Sequence, residues 1–342
     1  MLPLAVMLGA CQADEPTPAV SDDSRSVTFD VSADGAKGPT TTWTIDNFKL
    51  SAFTAGQWGG YETLMDRVTV TRTGLNKWTY SPAVEWPGDR TVDFLAVSPS
   101  WVDVGGYSIW QSFLFNGAGA DTDLLVAVRM NVSQTGGRLK LNFRHALARV
   151  TVSLKTSLVP PMSVRVAAVT IRDVADYGNF TFPHVSTSAG TNTGELFDAW
   201  QVYNSMATRY KIFEATDPGG YTALTQEPVQ ISGAGLYMIP LKLTPLQFSG
   251  YFNGSHIEVT YQIVNQDTGD VVWPDDSTDG RLLSADHEGY ANANIDIAAP
   301  TPDSKWLPGK TYRYTLDISS GATIPKSASR SVSQVDCDVN NY

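Results

Sequence analysis

Apolar residues in this chain recur at every second position in short runs, and each run is soon closed by Gly, Pro, Asn or Asp. Val27, Phe29 and Val31 alternate with Thr28, Asp30 and Ser32, which gives an extended segment one apolar and one polar face. A helix would repeat its apolar positions at three and four instead. Asp66 to Arg72 carries Val68 and Val70 in the same period, while Trp43 to Phe53 and Lys77 to Tyr80 add aromatic-rich extended segments. Thr91 to Val97 is apolar on both faces between Pro87-Gly88 and Pro99, as expected of a central strand. Leu124 to Val132 and Arg138 to Leu154 have the same character.

Val159-Pro160-Pro161 interrupts this pattern, and proline cannot donate to a strand ladder, so a domain junction is expected there. Beyond it, Val164 to Ile171, Leu236 to Leu243, His256 to Val264 and Thr311 to Ile318 are the clearest strands, and Leu196 to Asn204 suggests one short helix. The expected class is therefore all-β, with two sandwiches in tandem at residues 26–160 and 161–342. A chain of 342 residues is long enough for each unit to bury its own core.

The formal net charge of −11, with no cluster of Lys and Arg, excludes a sequence-independent grip on nucleic acid and disfavours an anionic membrane surface. The two cysteines, Cys11 and Cys337, lie near opposite ends and provide no disulfide framework. The first eleven residues form an apolar stretch too short to span a bilayer, ending in Leu8-Gly9-Ala10-Cys11. This has the form of a lipobox: residues 1–11 are expected to act as a lipoprotein signal, cut before Cys11, whose acylated thiol and amino group then anchor the chain in the outer membrane. Because no Lys or Arg precedes the run, a longer N-terminus is expected upstream. Residues 12–25 are polar, acidic and proline-containing, the composition of a tether.

Four segments resemble the fimbrillin-like family of Bacteroides-group bacteria, whose members build type V pili from lipoprotein precursors. Trp78-Thr-Tyr80-Ser-Pro82, Trp86-Pro87 and Asp93-Phe94-Leu95-Ala96-Val97-Ser98-Pro99 are similar to the family's Trp-x-Tyr, Trp-Pro and Phe-x-Ala-x-Ser-Pro succession. Leu141 to Val150 resembles its Phe-x-His-x-Leu-x-x-Val strand, and Leu236 to Pro240 its apolar strand ending in proline. Trp306-Leu-Pro308-Gly309-Lys310-Thr-Tyr312-Arg-Tyr314 is similar to the C-terminal Trp-x-Pro-Gly-Lys-x-Tyr-x-Tyr hallmark.

The resemblance implies transthyretin-like Greek-key sandwiches and assembly by strand exchange, in which the first strand is cut away and replaced by a strand from a related subunit. Val27, Phe29 and Val31 would be the displaced strand, and Val335, Cys337 and Val339, alternating with Asp336 and Asp338, the donor. Arg25 and Lys37 are the candidate processing points. A cut at Arg25 would free the lipid anchor but keep the first strand, whereas a cut near Lys37 would open the groove.

Residue types that could carry chemistry are scattered. His145 lies between Phe143 and Leu147 in an alternating run, the place of a structural histidine, and His184, His256 and His287 lack metal-ligand spacing. Asp275 to Asp286 imitates the oxygen spacing of a calcium loop, but Pro274, Arg281 and Leu283 fit an acidic turn better. No nucleophile elbow, phosphate loop or paired-cysteine metal signature occurs, so no cofactor or metal is expected. Trp101, Tyr107, Trp110 and Phe113 could present an aromatic platform to glycan, although such residues more often fill a core. The leading expectation is thus a fimbrial assembly subunit, not an enzyme. The alternative is a surface lipoprotein or pilus-tip adhesin that binds host glycan or protein.

Overall fold

The computed structural model describes residues 26–33, 45–56, 60–74, 77–102, 112–116, 122–134, 138–187, 193–203, 209–216, 220–324 and 335–341. The first strands are β1 (Phe29–Ala33), β2 (Asn47–Ala55), β3 (Tyr61–Gly74), β4 (Lys77–Thr79), β5 (Val92–Ser98), β6 (Ser112–Phe115), β7 (Leu125–Val132) and β8 (Leu139–His145). All but β6 form a seven-stranded sheet in the order β1-β8-β7-β5-β2-β3-β4, antiparallel except where β1 lies parallel to β8. β3 is longer than its apolar alternation suggests. Its polar first half, Tyr61 to Thr63, is held by pairing with Phe53 to Ala55.

The chain continues through β9 (Ala148–Lys155), β10 (Met162–Arg172), β11 (Tyr177–Thr181), α1 (Thr193–Asp198), β12 (Trp200–Tyr203) and β13 (Arg209–Glu214). After the two-residue strands β14 (Thr222–Ala223) and β15 (Val229–Gln230) come β16 (Leu236–Met238), β17 (Gln247–Phe248), β18 (Phe252–Asn253) and β19 (His256–Asn265). β20 (Val271–Trp273), β21 (Ala291–Asp296), β22 (Lys310–Asp317) and β23 (Val335–Asn341) complete it. β13-β10-β19-β20, with β14 and β21 alongside, form a six-stranded sheet. β15-β9-β22-β23, with β16, form a five-stranded one. β12-β11-β6 make a third, smaller sheet, and β17 and β18 pair with each other.

The all-β class expected from the alternating runs is what the chain forms. The helix differs from its expected position: α1 ends at Asp198, and Trp200 to Tyr203 is strand, paired with Phe180 to Tyr177. Buried Trp200 makes edge contacts with Phe115 and Phe180 and donates its indole N–H to the Ala146 carbonyl at 2.9 Å, so tertiary packing overrides local preference there.

The run from Arg138 to Leu154 is two strands. β8 ends at His145, and β9 runs parallel to β22 in the five-stranded sheet, so Leu147 belongs to a different core from Leu141 and Phe143. The smaller core gathers Phe29, Phe48, Leu50, Trp86, Phe94 and Phe143 against one face of the seven-stranded sheet. The larger core is built mainly from β9, β10, β19, β21 and β22, and it also takes Leu95, Val97, Val126 and Val128 from the other face of β5 and β7.

Candidate assembly site

The Val27-Phe29-Val31 run forms the edge of the seven-stranded sheet. β1 is matched to β8 from Phe29 opposite Leu139 to Ala33 opposite Phe143. Its alternation places Val27 and Phe29 in the smaller core, with Val31 packed on the core's margin, while Asp30 and Ser32 stay exposed. The Phe29 ring meets Tyr80 edge-on at 5.5 Å and Phe48 at 6.0 Å. Burying a side chain of that size stabilises by roughly 1.5–3 kcal/mol.

Hydrogen bonds seat the strand from both flanks. Leu139 N–H donates to the Thr28 carbonyl at 2.7 Å, Arg138 Nε to the Phe29 carbonyl at 2.8 Å, and Val27 N–H to the Val84 carbonyl at 3.1 Å. The Tyr80 hydroxyl donates to the Val27 carbonyl at 2.9 Å, and burial pushes its pKa up. Tyr80 is the residue around β1 most easily overlooked: its place two residues after Trp78 is all that marks it, and neither residue shows in the sequence that its target lies 53 positions earlier.

At the other end of the chain β23 pairs antiparallel with β22, from Leu316 opposite Val335 to Lys310 opposite Asn341, at the edge of the five-stranded sheet. Cys337 and Val339 are half-buried against the larger core, and Asp336 and Asp338 face solvent. The Cys337 thiol shares a hydrogen bond with the Tyr314 hydroxyl, but burial outweighs it and pushes the thiol up to about 11. The two candidate strands therefore sit in different sheets and on different cores, each edge-bound by its own chain.

Cys11, Arg25, Lys37, Tyr107 and Trp110 lie outside the described residues, as do residues 12–24 and Asn204. Trp101 is described and 62% exposed, whereas Phe113 is buried against Phe180 and Phe182, so these aromatics do not line one surface. An exposed aromatic pair does occur elsewhere: Tyr177 and Tyr203 stack at 5.1 Å across β11 and β12. Nothing in the residue pattern marks it, because the pair exists only through strand register.

His145 is buried with its Nδ1 against the Asp123 carboxylate. Asp275 spends its carboxylate on its own turn, accepting from Ser277 N–H at 2.9 Å and from the Ser277 hydroxyl at 2.7 Å, while Asp279 pairs with Arg281. Among the described residues, no three His, Cys, Asp or Glu side chains gather in a way that would hold a metal ion. No helix among the described residues is long and apolar enough to cross a membrane.

Several sheets, with an edge strand at each end of the described chain, make an all-β protein. The chain belongs to the fimbrillin-like family, whose profile matches residues 36–340 and so begins after β1. Its fold is similar to that of a fimbrial protein from Bacteroides vulgatus, at 14% identity and a TM-score of 0.53, covering 93% of this chain and 99% of that one. More distantly it is similar to the fimbrial anchor protein Mfa2 from Porphyromonas gingivalis, at 13% identity and a TM-score of 0.33, covering 93% and 98%. The tip fimbrial protein Mfa3 of the same organism gives 11% identity and a TM-score of 0.36, covering 87% and 94%. No curated protein matches the chain.

Proposed function

We propose that this chain is a structural, non-enzymatic subunit of a bacterial surface fimbria, exported as a lipoprotein acylated at Cys11 and joined to related subunits by β-strand exchange. One observation carries the reading: β1 is an edge strand with a single strand neighbour, yet its Phe29, together with Val27 just before it, fills a core. Losing it leaves the backbone edge of β8 unpaired from Leu139 to Phe143 beside vacated apolar space, which another strand of period two can refill. The tail from Val335 to Val339 has that period. Membership of the fimbrillin-like family supports the placement in a cell-surface appendage.

Two transthyretin-like Greek-key units, residues 26–160 and 161–342, belong to the same reading, with β9 crossing from the first into the sheet of the second. A cut at Arg25 would release the anchored segment and leave β1 seated, so a cut near Lys37 is the opening step. Without it the chain is an anchor or terminal subunit. Mass spectrometry of native surface filaments tests this: subunits within a shaft should begin after Lys37, and a mature N-terminus at Ser26 there would overturn it. Detergent partitioning tests the anchor, since Cys11→Ala should leave an unanchored precursor.

The second reading, a lipoprotein or tip adhesin for host glycan or protein, is favoured by the exposed Tyr177–Tyr203 stack, because flat aromatic faces suit sugar rings. Filaments from purified trimmed protein favour the subunit; persistent monomers that bind a glycan array favour the adhesin.

A further inference from the structure

A cleft of about 360 Å³ lies between the outer face of the six-stranded sheet and the segment Leu283 to His287. Alternation makes this face polar: Val169, Ile171, Ile257 and Val259 point into the larger core, so Thr170, Arg172, Glu258 and Thr260 point out. Strand register brings Arg172 directly opposite Arg209. Like charges facing each other across a strand pair are destabilising unless an anion intervenes.

The Glu258 carboxylate meets Arg172 Nη1 at 3.3 Å and satisfies one guanidinium. Two further carboxylates line the cleft: Glu214, which is taken by Lys211 and lies 3.9 Å from His287 Nε2, and Asp286 on the facing segment. Arg209 is exposed and forms no ion pair among the described residues. Burial pushes the pKa of the Asp173 carboxyl up, against the lowering influence of the Arg172 and Arg209 charges. Beside the Arg209 cation the cleft offers the Asp286 carboxylate as an acceptor for hydroxyls, the neutral hydrogen-bonding groups Thr170, Ser284 and the Thr260–Asn292 pair bonded at 2.8 Å, and a small apolar surface at Leu283.

We propose that this cleft binds a carboxylate-bearing monosaccharide, such as a hexuronic or nonulosonic acid residue, with its carboxylate on Arg209 and its ring hydroxyls on the threonine, serine and asparagine wall. The volume falls within the roughly 300–1,000 Å³ of small-molecule sites. A neutral sugar would leave Arg209 without a counter-ion. An inorganic anion would leave the hydroxyl wall and Leu283 unused. The site is remote from β1 and β23 in the sheet order, so it stands whether or not the chain polymerises.

The full chain titrated with glucuronic acid, N-acetylneuraminic acid, glucose and inorganic phosphate, followed by calorimetry and ligand-detected NMR, tests the proposal. At least one acidic sugar should bind saturably and glucose should not. Arg209→Met, an exposed substitution whose melting temperature should match the parent, should weaken binding by about tenfold or more, the loss of one charge-assisted contact. Leu283→Trp, which fills the cleft from its roof, should block binding independently. Absence of saturable binding by either acidic sugar, undiminished binding to Arg209→Met and Leu283→Trp, or binding of phosphate alone would overturn it.

Discussion

β1 and β23 carry the same pattern, three apolar positions alternating with polar ones, yet the fold uses them differently. Phe29 is 1% exposed and touches two aromatic rings, while Cys337 and Val339 remain half-exposed on the rim of the larger core. β1 lies parallel to its neighbour and is fastened by a tyrosine hydroxyl and an arginine; β23 lies antiparallel on β22 with Cys337 bonded to Tyr314. Alternation alone states which side chains share a face. How deep that face sinks depends on what lies beneath it.

The sharpest way to break this contrast is through the floor under β1. Phe143 is fully buried and packs against Phe48 at 5.2 Å, so Phe143→Ala should destabilise the fold by about 3–5 kcal/mol in urea unfolding. A loss below about 1 kcal/mol would remove Phe143 from the core. Phe29→Ala should cost about 3 kcal/mol and should raise hydrogen exchange along β8, because the emptied pocket also frees that edge. An unprotected β8 in the parent protein would deny β1 its role.

Val339→Ala tests the other edge and should cost only about 1 kcal/mol, seen as faster proteolysis of the C-terminal segment with the midpoint of global unfolding almost unmoved. A loss equal to that of Phe29→Ala would make the two strands equivalent. The smallest effect concerns the Cys337 thiol, raised by burial from 9.0 to about 11. A thiol whose folded pKa lies above its unfolded value contributes stability that is complete below about pH 9 and is lost as pH rises through about 11. Melting curves across that window should fall more steeply for the parent than for Cys337→Ala, and parallel curves would mean that β23 leaves the thiol in water.

The alternation of Val27, Phe29 and Val31 already placed a half-buried strand, and the doubly apolar run at Thr91 to Val97 already placed a central one, because burial on one face or two is written directly in period two. The division between β8 and β9 was not legible. Apolar residues continue without a break through Ala146 and Leu147, and only the Ala146 N–H to Leu124 carbonyl bond and the parallel partner β22 show that the chain has changed sheets. The strands Arg209–Glu214 and Tyr177–Thr181 escaped for a different reason: their patterns are mixed, and their partners rather than their composition hold them. The acidic-sugar cleft was invisible in principle, since Arg172 and Arg209 meet only through register.

β5 and β7 have a consequence that reaches beyond packing. Phe94 and Ala96 belong to one core and Leu95 and Val97 to the other, and Leu125 and Val126 divide in the same way. A chain loaded along its length therefore has no soft joint between its two interiors: prising one open strips the opposite face of the same strands. Once the edge strands at the two ends have peeled away, the two interiors should yield in a single rupture instead of two, the behaviour of a solid link in place of a hinged one.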